Sequence, residues 1–229
     1  EYGNFNYIIY EVLKSYNDLF LKKELNLSNK DFGKLSLINE VFQYCYLNKA
    51  ETNTKFINLI NSNEGNYTRY LFFYFNNLIK KNDFKSVIQI SKDINILESN
   101  LLIQQSKQWI DNSNFKKFTS FFSCENEEDI IAEFFFLISN FFAADRNFEQ
   151  SNFYSNISIY LNPKFYLNLT HLVSNYFEIS NYEKVKQLLE NFGKEEEVYR
   201  WYKFKKISKV IYKKNGQSKS LSYIEKKFK

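Results

Sequence analysis

Apolar residues recur with helical spacing along nearly all of this 229-residue chain, most clearly between Ala132 and Pro163. There Phe135, Ile138, Ser139 and Phe142 fall at i, i+3, i+4 and i+7, one face of a helix. Asp145-Arg146-Asn147-Phe148 breaks the pattern, and a second face follows through Ser151, Tyr154, Ser158, Ile159 and Leu161. Pro163, the single proline, closes the stretch, because its fixed φ and missing N–H end a helix. Strict alternation and hairpin dipeptides are rare, so the pattern predicts an all-α protein.

The helix–turn–helix stretch has echoes. Phe142 and Tyr176 are 34 residues apart, and so are Phe148 and Tyr182, each preceded by asparagine. Upstream, Phe115 follows Asn114 and Phe84 follows Asp83, 33 and a further 31 residues back. Leu71, Tyr74, Phe75 and Leu78 form the first face of one unit, with Val87, Ile88 and Ile94 in its second helix. In the next, Leu102, Gln105, Ser106 and Trp109 precede Phe118, Phe121 and Phe122. A fainter unit carries Ile38, Val41, Phe42 and Cys45, then a helix over 51–61. The last has Phe204, Ile207, Ser208 and Ile211, a turn at Lys214-Asn215-Gly216, then Ser220, Leu221 and Ile224. Gly65 and Gly193 fall where joints between units are expected. The predicted organisation is a helical segment over 1–33, helix at 5–22, followed by units at 35–66, 68–98, 99–131, 132–165, 166–199 and 201–229.

Composition narrows the chemistry. Hydrophobic content of 44% with 25% charged residues is that of a globular protein, and 25 Phe with 18 Tyr can fill its core. Lys and Asn richness carries little weight, because Phe, Tyr, Ile, Asn and Lys all have A/T-rich codons. There is no methionine, so the chain reads as a piece of a longer protein or a processed product, with further repeats expected beyond Lys229. The compartment is not legible from its first residues. Cys45 and Cys124 lack CxxC or metal-ligand spacing and are predicted to be free structural thiols. The most apolar run, Ile130 to Ala144, contains Glu133, Ser139 and Asn140 and is too short to span a bilayer. His171, the only histidine, completes no catalytic set at recognisable spacing. Glu125, Glu127, Glu128 and Asp129 suit the positive end of a helix. Five scattered glycines form no phosphate-cradling loop. No enzymatic activity, cofactor or metal is expected.

Charge is unevenly spread. Residues 200–229 hold eleven Lys/Arg and one acid, Glu225, which leaves 20 basic and 25 acidic residues in 1–199. A body of −5 therefore carries a segment of +10.

The repeated pattern resembles the tetratricopeptide repeat, whose 34-residue unit reads W-x₂-L-G-x₂-Y, then A-x₃-F, then P. Here the first part is Phe135-x₂-Ile138-Ser139-x₂-Phe142, with Phe148, Ser151, Ser158 and Pro163 after it. Arg146 stands in place of the turn glycine and Ser155 in place of an aromatic, whose volume Tyr154 is expected to supply. The following unit keeps Leu172, Val173, Tyr176, Asn181 and Tyr182, but has Val185 for the small residue. The resemblance implies a right-handed superhelical solenoid of antiparallel helix pairs, part of a longer bacterial array. It also implies protein binding, a peptide or helix lying in a concave groove lined by the second, fifth and ninth places of each unit. Those places give Arg69, Phe72 and Asn76, then Asn100, Ile103 and Lys107. They continue with Glu133, Phe136 and Asn140, then Leu167, Thr170 and Ser174, and finally Tyr202, Lys205 and Lys209. The partner expected is therefore another protein or peptide. The alternative is nucleic-acid or anionic-surface binding through 200–229, with Trp201, Tyr202, Phe204 and Tyr212 available to stack on bases. Lysines 205, 206, 209 and 213 would then share one exposed face.

Overall fold

The computed structural model describes residues 2–27, 31–62, 68–192 and 197–228, and all regular structure among them is helical. The joints expected at Gly65 and Gly193 lie outside these residues. The helices are α1 (Tyr2–Lys22), α2 (Lys34–Tyr46), α3 (Thr52–Ile60), α4 (Tyr70–Lys80), α5 (Phe84–Ser91), α6 (Leu101–Asp111) and α7 (Lys116–Phe121). They continue with α8 (Glu127–Ala144), α9 (Phe148–Leu161), α10 (Tyr166–Glu178), α11 (Tyr182–Leu189), α12 (Glu197–Asn215) and α13 (Gln217–Phe228). Two second helices are shorter than the apolar spacing predicts. Ile94 lies beyond the end of α5, and Phe122 is extended just past α7.

One turn geometry recurs. Asn48, Asn82, Ser113, Arg146 and Ser180 each adopt a left-handed backbone, with φ between 49° and 60°, after α2, α4, α6, α8 and α10. Around Arg146, its N–H reaches the Ala143 carbonyl and the Asn147 N–H reaches the Phe142 carbonyl. The same pair of bonds recurs at Ser180-Asn181, Ser113-Asn114, Asn82-Asp83 and Asn48-Lys49. This is the Schellman ending, which satisfies orphan carbonyls at a helix C-terminus. Three of these turns then start the next helix with a side-chain cap. Asp83, Asn147 and Asn181 accept from the N–H groups of Ser86, Gln150 and Lys184. The polar residue before each aromatic thus ends one helix and begins another.

The chain divides into two compact units, residues 1–131 and 132–229. In the first, α4 touches α3, α5, α6 and α7, and every residue from Phe72 to Ile79 is buried. A helix buried on all sides, here with the Asn76 and Asn77 amides hydrogen-bonded to α7 and α3, is a core helix. Around it, Phe73 meets Phe42 edge-to-face at 5.1 Å and Phe122 at 4.7 Å, while Phe72 stacks on Phe118 at 5.5 Å. Burial of these rings supplies much of the hydrophobic stabilisation. Cys45 and Cys124 are not free thiols: they form a disulfide, with Cα atoms 5.7 Å apart. Their 79-residue separation gave no spacing signal, and it is the packing of Phe122 against α2 and α4 that brings them together.

In the second unit a serine layer lies between close-packed helices. Ser139 Oγ lies 3.0 Å from Ser151 Oγ and 2.6 Å from Ser155 Oγ, all fully buried. Ser158 Oγ donates to the Ala132 carbonyl, and Asn168 Nδ2 donates to Ser158 Oγ. Tyr154 fills the volume that Ser155 leaves, stacking on Phe135 at 5.9 Å and Phe142 at 5.5 Å. The start of α12 joins this core through Tyr199 and Tyr202, which lie 5.8 Å and 5.5 Å from Phe192. Trp201 points elsewhere, to Phe204.

Candidate functional site

Along α12, Trp201, Phe204, Lys205 and Ser208 follow i, i+3, i+4 and i+7 and form one stripe. Gly216, at φ 84°, turns the chain into α13. The hydroxyls of Ser208 and Ser220 then pair across the hairpin at 2.9 Å, both buried. That pair sets the register and places Tyr223, Ile224 and Lys227 of α13 beside the α12 stripe. Between them lies a cleft of about 330 Å³, lined by these residues together with Lys209. Its floor is aromatic and aliphatic, and its rim is Lys205, Lys209 and Lys227, all exposed.

The Phe204 ring of the floor is engaged. Trp201 meets Phe204 edge-to-face at 88°, and the Lys227 ammonium lies 5.4 Å above the Phe204 ring. Burial pushes the Tyr223 phenol above its ordinary pKa, so it is neutral at physiological pH. Other lysines of the hairpin are committed elsewhere. Lys203 pairs with Glu190 at 3.1 Å, and Lys214 pairs with Glu183. Lys206 turns away from the cleft to lie 4.9 Å over Phe177, where burial lowers its pKa and Lys209 adds to the effect. Lys205 and Lys209 form no ion pair among the described residues. Of the four lysines expected on one exposed face, Lys205 and Lys209 share the cleft, Lys206 does not, and exposed Lys213 stands outside its lining.

Most of the expected groove lies elsewhere. Phe72, Asn76, Ile103, Glu133, Phe136 and Thr170, expected to face a partner, are buried and offer little surface for contact. In the first unit the chain fills this place itself. Phe118 covers Phe72, and the Asn76 amide donates to the Phe118 and Phe122 carbonyls at 2.9 Å and 2.7 Å. In the second unit Phe136 meets the His171 ring at 5.6 Å, and the Tyr202 hydroxyl donates to the Thr170 carbonyl. Arg69, Lys107, Asn140, Leu167 and Ser174 are half-buried. Lys107 pairs with Asp111, the Arg69 guanidinium lies 5.7 Å from the Phe73 ring, and Asn140 and Ser174 bond carbonyls of their own helices. Asn100 and Tyr202 are half-buried too, so only Lys205 and Lys209 of the fifteen are exposed and border a cleft.

Ser151 Oγ lies 3.2 Å from His171 Nε2, but the serine is fully buried and also receives the Asn175 amide at 2.7 Å. No group of three or more His, Cys, Asp or Glu side chains that could hold a metal occurs among the described residues. The acidic run opens α8: Asn126 Oδ1 accepts from the N–H of Glu128, and Asp129 accepts from the N–H of Ser123. No described helix is long and apolar enough to cross a membrane.

Sequence reasoning passed over Tyr223, Ile224 and Lys227 as partner contacts. Their signal was present in the two matched stripes with a serine in each, but pairing them needs the hairpin register. No family model, no curated protein and no solved structure matches the chain.

Proposed function

We propose that the chain is a scaffold of tetratricopeptide-like helix pairs that binds another protein, and that it takes a segment of that protein in the α12–α13 cleft. The observation that carries this reading is the cleft itself: an apolar floor open to solvent, rimmed by lysines that form no ion pair among the described residues. Exposed apolar surface bounded by charge marks interaction sites. The recurring turn at five helix ends supports the repeat reading. Burial of Phe72, Ile103 and Phe136 moves the expected contact away from the earlier helix pairs.

A second reading, binding of nucleic acid or an anionic surface, draws on the eleven Lys/Arg of residues 200–229. Against it, the Phe204 ring already carries Trp201 at its side and Lys227 on a face, where a base would stack. Selection from a random peptide display library on the immobilised chain separates the two. Enriched peptides whose binding is lost in Ile224→Asp support the scaffold. Absence of enrichment, with poly-dT binding that falls steeply with salt, supports the second reading.

A further inference from the structure

Resting on that reading, we infer that the α12–α13 cleft receives an acidic amphipathic helix of its partner, not an extended peptide and not a second copy of this chain.

The secondary structure of the occupant follows from what the cleft lacks. An extended peptide brings a row of N–H and C=O groups that need partners, which a sheet edge or polar side chains would supply. Both walls here are helices whose backbone groups are paired internally. Of the two hydroxyls in the lining, Ser208 is already bonded to Ser220, and the Tyr223 phenol alone cannot pair a row of backbone groups. A helix arrives with its own backbone satisfied and needs only apolar contact from the floor. The stripe from Trp201 to Ser208 offers two turns, matched to side chains at i, i+3 or i+4, and i+7 of an incoming helix.

Charge selects the sign. Residues 197–228 hold ten Lys/Arg against two acids, Glu197 and Glu225. The three cleft lysines extend past the apolar floor, where flanking Asp or Glu of the occupant would meet them. A second copy would bring the same lysines face to face, and like charges across an interface cost affinity and association rate.

The test uses the full chain and four probes by fluorescence anisotropy: an acidic amphipathic helical peptide, its scrambled isomer, its Glu→Lys analogue, and poly-dT. The acidic amphipathic peptide is expected to bind, gain helix by circular dichroism, and weaken with salt. The scrambled and lysine peptides should bind at least about tenfold more weakly. K205E/K209E/K227E alters only exposed rim positions and should reverse the preference between the Glu and Lys peptides. Unchanged thermal melting confirms that it folds, and Ile224→Asp checks the floor independently. Equal binding of acidic, scrambled and lysine peptides would overturn the inference while leaving protein binding in place. Binding of poly-dT alone would overturn both. Concentration-dependent dimerisation abolished by Ile224→Asp would overturn the inference in favour of a second copy.

Discussion

At the scale of residues, the recurring turn is where local chemistry is most exposed to test. Arg146 holds φ at 59° without the freedom of glycine. A left-handed conformation costs an L-residue about 1–2 kcal/mol, part of which glycine returns through its more flexible unfolded chain. Arg146→Gly should therefore stabilise by about 0.5–1 kcal/mol in urea titration. Its neighbour works oppositely: Asn147→Ala removes the cap on Gln150 and should cost about 1 kcal/mol. Equal effects of one sign from the pair would contradict the turn geometry. Lys206 gives a pH prediction. Its folded pKa lies below the ordinary 10.5, so the unfolded chain holds more protons between those two values. Its contribution to stability should rise with pH across that window, and Lys206→Met should flatten the rise. Much at this scale was legible, Tyr154 included, because a missing aromatic leaves a volume that a neighbour must fill.

Among elements, the decisive feature is the short α7 and the strand of chain after it. The packing of Phe118 and Phe122 on α2 and α4 joins residues 46 to 80 apart in sequence. The disulfide closes a loop spanning 79 residues. Reduction, or Cys45→Ser with Cys124→Ser, should cost about 4–5 kcal/mol on the loop-closure account, seen as a lower urea midpoint. A shift under about 1 kcal/mol would show that the unfolded chain gains little freedom when the bridge is absent. Beside the bridge, Glu127 accepts from Tyr46 at 2.7 Å and from Lys23 at 3.1 Å. These bonds, Tyr46 first, hold its carboxyl below the usual pKa of 4.5. Their contribution is complete above 4.5 and lost as pH falls through the folded value. Glu127 is half exposed, so Glu127→Gln should remove only about 0.5 kcal/mol of this acid sensitivity. Helix existence was legible here from periodicity. The lengths of α5 and α7 were not, since Ile94 and Phe122 keep apolar spacing outside the helix.

For the whole molecule, net charge hides its distribution. The chain is +5, yet residues 200–229 alone are +10. Retention on a cation exchanger at neutral pH should follow the segment, since a concentrated patch raises the local potential above the average. Reversing Lys205, Lys209 and Lys227 to Glu brings the net charge to about −1 and should abolish retention. Reversing Lys14, Lys92 and Lys116 reaches the same net charge and should leave substantial retention. Identical elution of the two variants would mean that the segment does not act as a patch. This asymmetry was legible in the bare sequence; the division of its lysines among rim, ion pairs and a ring face was not.

The amino-acid order by itself determined the all-helical class, the rhythm of turns and the polar residue before the aromatic at three of them, Asp83, Asn147 and Asn181. Those features depend on neighbours within a turn or two, where 3.6-residue periodicity and capping chemistry operate. The tertiary structure decided which faces are covered. It buried Phe72 and Asn76 beneath α7, joined Cys45 to Cys124, and left the floor between Phe204 and Ile224 open. An apolar face is written in the sequence, but what lies against it depends on segments tens of residues away, whose approach is selected by packing of the whole core.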